Sequence, residues 1–302
     1  MSSIFEGTSP SKETASSNSQ AQLNKVIPEM LLFDIDGVIT EPVTGEVEFE
    51  VVNIIVEILE RGKPVAFNTG RGMNWVLRDI LPHFEARLSK RSVMDKLCIV
   101  YQKGAFRLTF NEKGEPERSV ATPSISLPPD ALRTEVLELI NTKYSASMFP
   151  GEEKEAVLSP QMKLGVDFET YKADQARLVN DLRGMLLRHG LDTQFRVDPT
   201  RIATDVEDKR LGKALGSQQV LTWLEEQDLQ PQYFITFGDS KSDVGMAEEI
   251  YRNGFPVELV FVGEKEQLKE MHLPFLVSFT QASCEKGTVE YLKNRPRRIQ
   301  NL

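Results

Sequence analysis

The sequence predicts an α/β fold in which a doubly wound, Rossmann-like parallel sheet is interrupted by an inserted α+β domain. Short apolar strands alternate with helical segments near both ends of the chain, whereas the middle of the chain has a different, turn-rich pattern. Polar residues also follow several of the strands directly. With 302 residues, the chain is long enough for one large domain with an insertion, or for two domains that share a cleft.

The first strands and helices follow a polar leader. Residues 1–27 are Ser-rich and lack the apolar centre of a secretory signal, so we expect a disordered leader there. An apolar strand is predicted over 30–35, and a helix follows in which apolar residues recur at helical spacing until Gly62. Two further strands, in KPVAF and KLCIVY, flank the helical segment MNWVLRDIL, which indicates parallel strands with right-handed crossovers.

The pattern changes over residues 112–203, which we interpret as the inserted domain. Turn-rich segments come first, and the helical DALRTEVLELINTKY and YKADQARLVNDLRGMLLRHG then flank the strand-like EAVLSPQMKLGVDFE. A strand pair, TQFRVDPTRIATDV, follows them. The helix GKALGSQQVLTWLEEQ and the strands QYFITFG and PVELVFVG then restore the first pattern, so residues 28–111 and 204–302 are predicted to form the core.

Composition excludes several classes of partner. The formal net charge of -9 argues against nucleic acid or an anionic membrane as the main partner. No apolar run approaches the roughly 18 residues that a membrane span needs. Only Cys98 and Cys284 occur, without metal-binding spacing, which fits a reducing compartment. We therefore expect a cytoplasmic protein whose partner is a small molecule.

Two acids follow the first core strand in the stretch EMLLFDIDGVITEP. Asp34 and Asp36 flank a single apolar residue at the strand exit, and Gly37 follows them. Such a DxDG stretch is by itself a weak signal, because an acidic turn or part of a calcium loop would look the same. A calcium loop is disfavoured, because the remaining oxygen ligands of such a loop are missing.

Other polar residues at strand ends strengthen the signal. Thr69 follows a strand and precedes a helix, where a hydroxyl and free backbone N–H groups can hold a phosphate. Asp239 and Asp243 follow another strand, and Lys213 begins the helix before that strand. Because ligands of doubly wound sheets bind beyond the carboxyl ends of the strands, we expect all these groups at one site.

This set of motifs resembles the haloacid dehalogenase-like hydrolase superfamily. Its members have a DxD strand end, a Ser/Thr strand end, a distant lysine and a GDxxxD strand end, and the resemblance covers the chain from about residue 28. The long insertion between the second and third motifs is similar to the type II cap of the sugar-phosphatase branch. That branch includes sucrose-phosphate, mannosyl-3-phosphoglycerate and trehalose-phosphate phosphatases as well as phosphomannomutase.

The resemblance implies roles for the four acids. Asp34 corresponds to the nucleophile, which would form an aspartyl-phosphate. Asp36 corresponds to the general acid and base. Two carboxylates approach a phosphate dianion only if their repulsion is offset, which favours Mg²⁺ as cofactor. The family pattern gives as its ligands the Asp34 side chain, the Asp36 backbone carbonyl and Asp239, with Asp243 orienting the metal waters or the lysine.

The resemblance also nominates the phosphate-binding groups. Thr69 and the backbone of Gly70 would donate hydrogen bonds to the phosphoryl oxygens. Lys213 is preferred over Lys209 as the family lysine, because it lies at the expected interval after its strand and begins the next helix. For Arg71, contact with the substrate and contact with an acidic neighbour remain equally open.

Substrate choice is expected to depend on the cap, because the core motifs recognise only a phosphoryl group. Glu153, Lys154 and Lys163 are nominated for contacts with the leaving group, with Arg196 and Arg201 as weaker candidates. A solvated run of charges explains these residues equally well.

The predicted function is a Mg²⁺-dependent phosphatase for a small phosphorylated sugar or glycoside. One alternative is a phosphosugar mutase of the phosphomannomutase type. The other is a non-catalytic protein that binds a phosphorylated metabolite, although the presence of both strand-exit acids argues against it.

Overall fold

A computed structural model describes residues 25–42, 44–120 and 125–295. The described strands are β1 (Lys25–Ile27), β2 (Met30–Phe33), β3 (Val65–Asn68), β4 (Leu97–Tyr101), β5 (Phe106–Phe110), β6 (Pro116–Val120), β7 (Met148–Phe149), β8 (Val157–Leu158), β9 (Gln161–Met162), β10 (Phe195–Pro199), β11 (Thr204–Asp208), β12 (Leu229–Pro231), β13 (Phe234–Gly238), β14 (Val257–Phe261) and β15 (Leu276–Phe279). The α-helices are α1 (Phe49–Glu60), α2 (Met73–Trp75), α3 (Leu81–Glu85), α4 (Asp130–Leu139), α5 (Phe168–Arg188), α6 (Lys213–Glu226), α7 (Val244–Arg252) and α8 (Cys284–Asn294). Short π-helical segments, Val76–Ile80 and Ile140–Tyr144, continue α2 and α4, and 3₁₀ turns cover Arg91–Lys96, Lys241–Asp243 and Lys265–Leu268.

An eight-stranded sheet forms the centre of the protein, in the order β15-β14-β13-β2-β3-β4-β5-β6. The strands from β15 to β4 are parallel, and β5 and β6 add an antiparallel edge. The predicted doubly wound α/β fold is therefore confirmed.

Both faces of this sheet are buried, which explains why its strands are apolar without alternation. Leu31 and Phe33 of β2 pack in one core cluster with α1 and α8, whereas Met30 and Leu32 pack in a second cluster with α6 and α7. All four side chains are at most 1% exposed. Burying each of them contributes about 1.5–3 kcal/mol, so the strand that carries the first acids is fixed from both sides.

A second region is built from α4, α5 and small sheets. β10, β11 and β8 form a three-stranded sheet, and β7 pairs with β9. Leu132 of α4, Leu178 of α5 and Phe195 of β10 belong to a third core cluster. The division at residues 112 and 203 stays a prediction. The strand pairing puts β6 in the central sheet, although it falls in the predicted insertion, and β11 in the small sheet, although it falls in the predicted core.

The predicted leader is wrong at its end. Lys25, Val26 and Ile27 form β1, which pairs in parallel with β12, so these three residues are not disordered. The rest of the predicted leader, 1–24, lies outside the described residues. Within the described part of the chain, none of the helices has the length and apolar character needed to cross a membrane.

Candidate active site

Three neighbouring parallel strands end at the candidate site. Phe33 of β2 is in register with Phe67 of β3 on one side and with Phe237 of β13 on the other. The strands therefore end at nearly the same level, and Asp34, Thr69 and Asp239 come directly or almost directly after them. This arrangement follows from the parallel topology, which gathers the carboxyl ends of the strands at one edge of the sheet.

Three carboxylates converge at this edge. Oxygen atoms of Asp34, Asp239 and Asp243 all lie within 4.8 Å of one another. Asp34 is 7% exposed and Asp243 is fully buried. One Asp243 oxygen is held in place because it accepts hydrogen bonds from the Ser240 backbone N–H (3.0 Å) and hydroxyl (2.8 Å).

Lys213 connects two of these acids. Its Nζ lies 2.6 Å from Asp34 Oδ1 and 2.8 Å from Asp243 Oδ1, and it also donates to the backbone carbonyl of Asn68 at 2.8 Å. Lys209, the alternative lysine, instead donates to the Asp192 carbonyl and is exposed. Of this pair, Lys213 therefore lies at the carboxylate cluster and Lys209 does not.

The electrostatics of the cluster show that it is short of positive charge. Burial raises the pKa of Asp34 well above its usual range, and the nearby charges of Asp243 and Asp36 raise it further against the opposing effect of Lys213. Burial and the charge of Asp243 raise the pKa of Asp239 to about 7. Burial would also raise the pKa of Asp243, but Lys213 and Ser240 hold it below its usual value.

The cluster fits a hard divalent cation. Its donors are carboxylate oxygens, which Mg²⁺ prefers, and Asp239 has no ion pair among the described residues. A bound cation would relieve the repulsion that raises the pKa of Asp239. The fit is thus supported by the donor set and by the charge of the site.

Gly37 makes the approach of Asp239 to the first loop sterically feasible. A Cβ atom at position 37 would lie 2.3 Å from Asp239 Oδ2, and the φ angle of Gly37 is +69°. Both observations favour glycine, because a side chain would clash and the left-handed backbone would be strained. The glycine of DxDG is therefore required by the acid on the other strand.

Asp36 lies apart from the three-carboxylate cluster and pairs with Arg71. Arg71 Nη2 donates to Asp36 Oδ1 at 2.6 Å, and its Nε donates to both carboxylate oxygens at 3.0 Å. The guanidinium also lies 4.6 Å from the ring centroid of Trp75, in a cation–π contact. Of the two alternatives for Arg71, the structure shows the contact with an acidic neighbour.

The loop after β3 is fixed by its own polar groups. Thr69 is fully buried, and its hydroxyl accepts a hydrogen bond from the Arg71 backbone N–H at 3.1 Å. Asn68, which sequence reasoning missed, donates through Nδ2 to the Lys213 carbonyl at 2.8 Å. It precedes Thr69 in FNTG, so its position at the end of the strand was a usable signal. Gly70 follows in the same loop and is partly exposed.

A tight turn next to this loop joins the core to the second region. Gln102 and Lys103 both have positive φ angles, 49° and 57°. The Lys103 N–H donates to the Thr69 carbonyl at 3.0 Å, and its carbonyl accepts from the Gly212 N–H at 2.8 Å. The turn therefore supports the loops of Thr69 and Lys213 together.

The side chains of this turn contact the second region. Lys103 Nζ lies 2.6 Å from Asp205, 2.7 Å from Glu207 and 3.6 Å from Asp198. Gln102 Oε1 accepts a hydrogen bond from the Ala156 N–H at 2.8 Å. Sequence reasoning missed this turn, because nothing in the sequence shows that its partners come from distant strands.

The residues nominated for substrate choice have different environments. Lys154 is only 8% exposed, whereas Glu153 and Arg201 are exposed. Lys163 donates to the Ser145 carbonyl, and Arg196 pairs with Glu207 at 2.7 Å.

Glu152, which was not nominated, reaches the loop after β3. Its Oε2 accepts a hydrogen bond from the Gly72 N–H at 3.2 Å. Its Oε1 is buried without a hydrogen-bond partner. Glu152 is thus an acid of the second region that contacts the loop of Arg71 directly.

Comparisons with known proteins identify the fold. No protein-family model and no curated protein matches the sequence. A haloacid dehalogenase-like hydrolase from Bacteroides thetaiotaomicron matches 88% of this chain and 99% of its own, with 11% identity and a TM-score of 0.58. IMP-bound, N-terminally truncated IMP-nucleotidase of Plasmodium falciparum matches over 88% and 67%, with 13% identity and a TM-score of 0.53. Trehalose-6-phosphate phosphatase of Aspergillus fumigatus matches over 88% and 91%, with 15% identity and a TM-score of 0.50. The chain therefore has the fold of the haloacid dehalogenase-like hydrolases.

Proposed function

We propose that this protein is a Mg²⁺-dependent phosphatase that hydrolyses a small phosphorylated sugar or glycoside through an aspartyl-phosphate. The observation that carries the proposal is the placement of Asp34, which follows β2 directly, lies beside Asp239 and Asp243, and pairs with Lys213 at 2.6 Å. The fold shared with phosphate-ester hydrolases supports the same conclusion.

The proposed first step is attack by an Asp34 oxygen on the phosphorus atom, which breaks the bond to the sugar oxygen. Asp34 Oδ1 accepts from the Ile35 N–H at 2.6 Å and faces Lys213, so the orientation of the carboxylate is fixed before substrate binds. Lys213, Thr69 and the Gly70 N–H would hold the phosphoryl oxygens. Bound at Asp34, Asp239 and the Asp36 carbonyl, with Asp243 behind them, Mg²⁺ would supply charge neutralisation for the phosphoryl oxygens.

Asp36 is proposed to protonate the departing sugar oxygen and then to take a proton from the water that cleaves the aspartyl-phosphate. Arg71 holds the Asp36 carboxylate in an ion pair at 2.6 Å, so Arg71 has to release or share this carboxylate when the sugar binds. Glu152 accepts a hydrogen bond from the N–H of Gly72, the residue after Arg71. A movement of the second region that shifts Glu152 would therefore also shift the backbone next to Arg71.

Phosphate release from p-nitrophenyl phosphate tests the proposal. We expect release that requires Mg²⁺ and that falls by a factor on the order of 10⁴ or more in Asp34→Asn. Asp181→Asn is the matched control, because Asp181 is an acid of the second region that pairs with Lys143, and it should retain activity. Full activity of Asp34→Asn would rule out the mechanism.

The products separate the alternatives. With a panel of sugar phosphates, a phosphatase releases inorganic phosphate, whereas a mutase gives an isomeric sugar phosphate in the presence of a bisphosphate activator. A non-catalytic binding protein would bind a sugar phosphate without turnover. The cytoplasmic location remains a prediction from the sequence alone.

A further inference from the structure

A large cavity lies beside the candidate active site. Its volume is about 970 Å³, and it is lined by the start of α4, by the segment 150–160 and by Met73 and Asn74 of the core. This volume is at the upper end of the roughly 300–1,000 Å³ that is typical of small-molecule sites. One wall is apolar and includes Pro128, Val136 and Ile140.

The cavity continues from the catalytic loop. Glu152 lines it and binds the Gly72 N–H, and Gln102 lines it and donates its backbone N–H to the Arg71 carbonyl at 2.9 Å. Arg71 also pairs with Asp36, the acid that would protonate the leaving group. A single residue, Arg71, therefore connects Asp36 to the wall of the cavity. A leaving group that departs from phosphorus and is protonated by Asp36 can therefore extend toward the cavity.

Two cations on the wall of this cavity have no ion pair within the described parts of the chain. Lys154 is 8% exposed, and its Nζ has neither a hydrogen bond nor a carboxylate within ion-pair distance. Arg133 donates only to backbone carbonyls, those of Lys154 at 2.9 Å and Glu155 at 2.8 Å. A lysine side chain that is mostly buried and has no ion-pair partner is costly, so it indicates a ligand that supplies the missing charge.

The acids of the cavity do not supply that charge. Asp130 and Glu153 are exposed, where solvent screens them, and Glu155 pairs with Arg118 at 2.7 Å. Burial lowers the pKa of Lys154 against the opposing charges of Asp205 and Glu152, so these acids do not compensate for its burial. Asp205 is already paired with Lys103 at 2.6 Å. The unpartnered Oε1 of Glu152 is suited to accept a hydrogen bond from a hydroxyl group.

Resting on the proposed function, we infer that the natural substrate carries a second anionic group on its leaving group, bound in this cavity by Lys154 and Arg133. The anion would be a carboxylate or a second phosphoryl group, with a hydroxyl group of the same moiety at Glu152. The substrate class is therefore a phosphorylated sugar acid or a bisphosphate rather than the phosphate of a neutral sugar.

Non-hydrolysable phosphonates test this inference without turnover. The dissociation constants of benzylphosphonate, 4-carboxybenzylphosphonate and 1,4-xylylenediphosphonate are measured by calorimetry with the full chain and Mg²⁺. The two compounds with a second anion share the phosphonate and ring of the first and distinguish a carboxylate from a second phosphoryl group. We expect at least one of them to bind about tenfold more tightly than benzylphosphonate, as a charge-assisted hydrogen bond would give.

Variants assign this preference to the cavity. Lys154→Met should bring the ratio of dissociation constants close to one, and measurable benzylphosphonate binding would show that the variant is folded. Lys154→Arg should retain the preference. Lys143→Met is the matched control, because this exposed cap lysine pairs with Asp181 outside the cavity.

Three outcomes would overturn the inference: no preference for either second anion, no measurable binding of any of the compounds, or a preference that survives in Lys154→Met. The proposed function fails on a different measurement, namely the absence of Mg²⁺-dependent phosphate release from p-nitrophenyl phosphate. An active phosphatase with no preference for a second anion would thus retain the proposed function and lose only this inference.

Discussion

Lys213 and Lys103 have nearly the same immediate surroundings but lie in different parts of the molecule. Lys213 Nζ is 2.6 and 2.8 Å from Asp34 and Asp243, and its side chain is 11% exposed. Lys103 Nζ is 2.6 and 2.7 Å from Asp205 and Glu207, and its side chain is 19% exposed.

The surroundings of the two lysines differ in what else needs positive charge. Burial would lower the pKa of both lysines, but the paired carboxylates raise it above the usual range in each case. Around Lys213 a further acid, Asp239, has no cation of its own among the described residues, whereas Glu207 beside Lys103 also pairs with Arg196. Three acids share one cation at Lys213, whereas three acids share two cations, Lys103 and Arg196, in the other cluster. We infer that this larger excess of acid, rather than the buried ion pair itself, distinguishes the proposed reaction centre from a structural contact.

Among the variants that compare the two lysine clusters, Lys213→Met has the largest expected effect on activity. The change removes the proposed phosphate contact and the partner of Asp34, so kcat/KM for p-nitrophenyl phosphate should fall by about 10³-fold or more at saturating Mg²⁺. Steady-state phosphate release measures this effect.

The control for that variant is Lys209→Met, since Lys209 is exposed and its side chain donates only to the Asp192 carbonyl among the contacts of the described chain. It should keep activity within about twofold, because surface changes have small effects. A loss of less than tenfold in Lys213→Met would show that the two lysine clusters do not differ in the way we propose.

Lys103→Met should have the opposite effects, namely a large loss of stability and a small loss of activity. The change leaves Asp205 and Glu207 buried without this cation, so the free energy of unfolding should fall by about 3–5 kcal/mol. Below the unfolding transition, kcat/KM for p-nitrophenyl phosphate should fall by less than about tenfold, because the phosphate contacts remain. Urea denaturation and phosphate release on the same preparation measure the two quantities.

A loss of activity as large as that of Lys213→Met, in protein that remains folded, would contradict this prediction. Lys103→Arg, which keeps the charge, should restore most of the lost stability. The pair of variants separates the loss of charge from the other effects of replacing the side chain.

The sequence predicted the site role of Lys213 but not the contacts of Lys103, and the difference shows what a sequence can reveal. Lys213 was predicted because it lies at the interval after its strand that the resembled family shows and begins the next helix. Lys103 depends on a turn with positive φ angles and on acids of β11, a strand that we had assigned to the core. Such contacts follow from how the two regions meet, and no local pattern shows that.

The same limit applies to Asp36 and to the cap. The position of Asp36 was predictable from the spacing DxD, but the pairing of Asp36 with Arg71 was only one of two alternatives. Lys154 was nominated beside Glu153 and Lys163, yet a run of charged residues does not show which of its members is buried. The apolar periodicity of the segment around Lys154 is too weak to predict which of its side chains face inward.

The pH dependence of the metal-free protein provides a smaller effect. In the folded chain, burial and the charge of Asp243 raise the pKa of Asp239 from 3.8 to about 7. Between these values the folded state holds a proton that the unfolded state has lost, so the free energy of unfolding should fall as pH rises. Asp239→Asn should reduce this slope, leaving the part due to Asp34, and should stabilise the metal-free protein at pH 8 by about 1–2 kcal/mol, since part of the shift is screened by solvent.

Unfolding by urea in the presence of a chelator, at several pH values between 5 and 8, measures this slope. Mg²⁺ should stabilise the original protein at pH 8 and have much less effect on Asp239→Asn, because a ligand that binds only the folded state stabilises it. A metal-free protein with no slope in this range would show that the cluster is not short of positive charge.

The smallest expected effect tests the second lysine cluster from its exposed side. Arg196 is the other cation at Glu207, 2.7 Å away, but its side chain is 40% exposed. Arg196→Met should therefore lower the free energy of unfolding by about 1 kcal/mol or less, because exposed ion pairs are weak and Lys103 still neutralises the buried acid. Urea denaturation alongside Lys103→Met measures the contrast. Equal losses in the two variants would mean that Glu207 needs both cations, and the cluster at Lys103 would then be as short of positive charge as the one at Lys213.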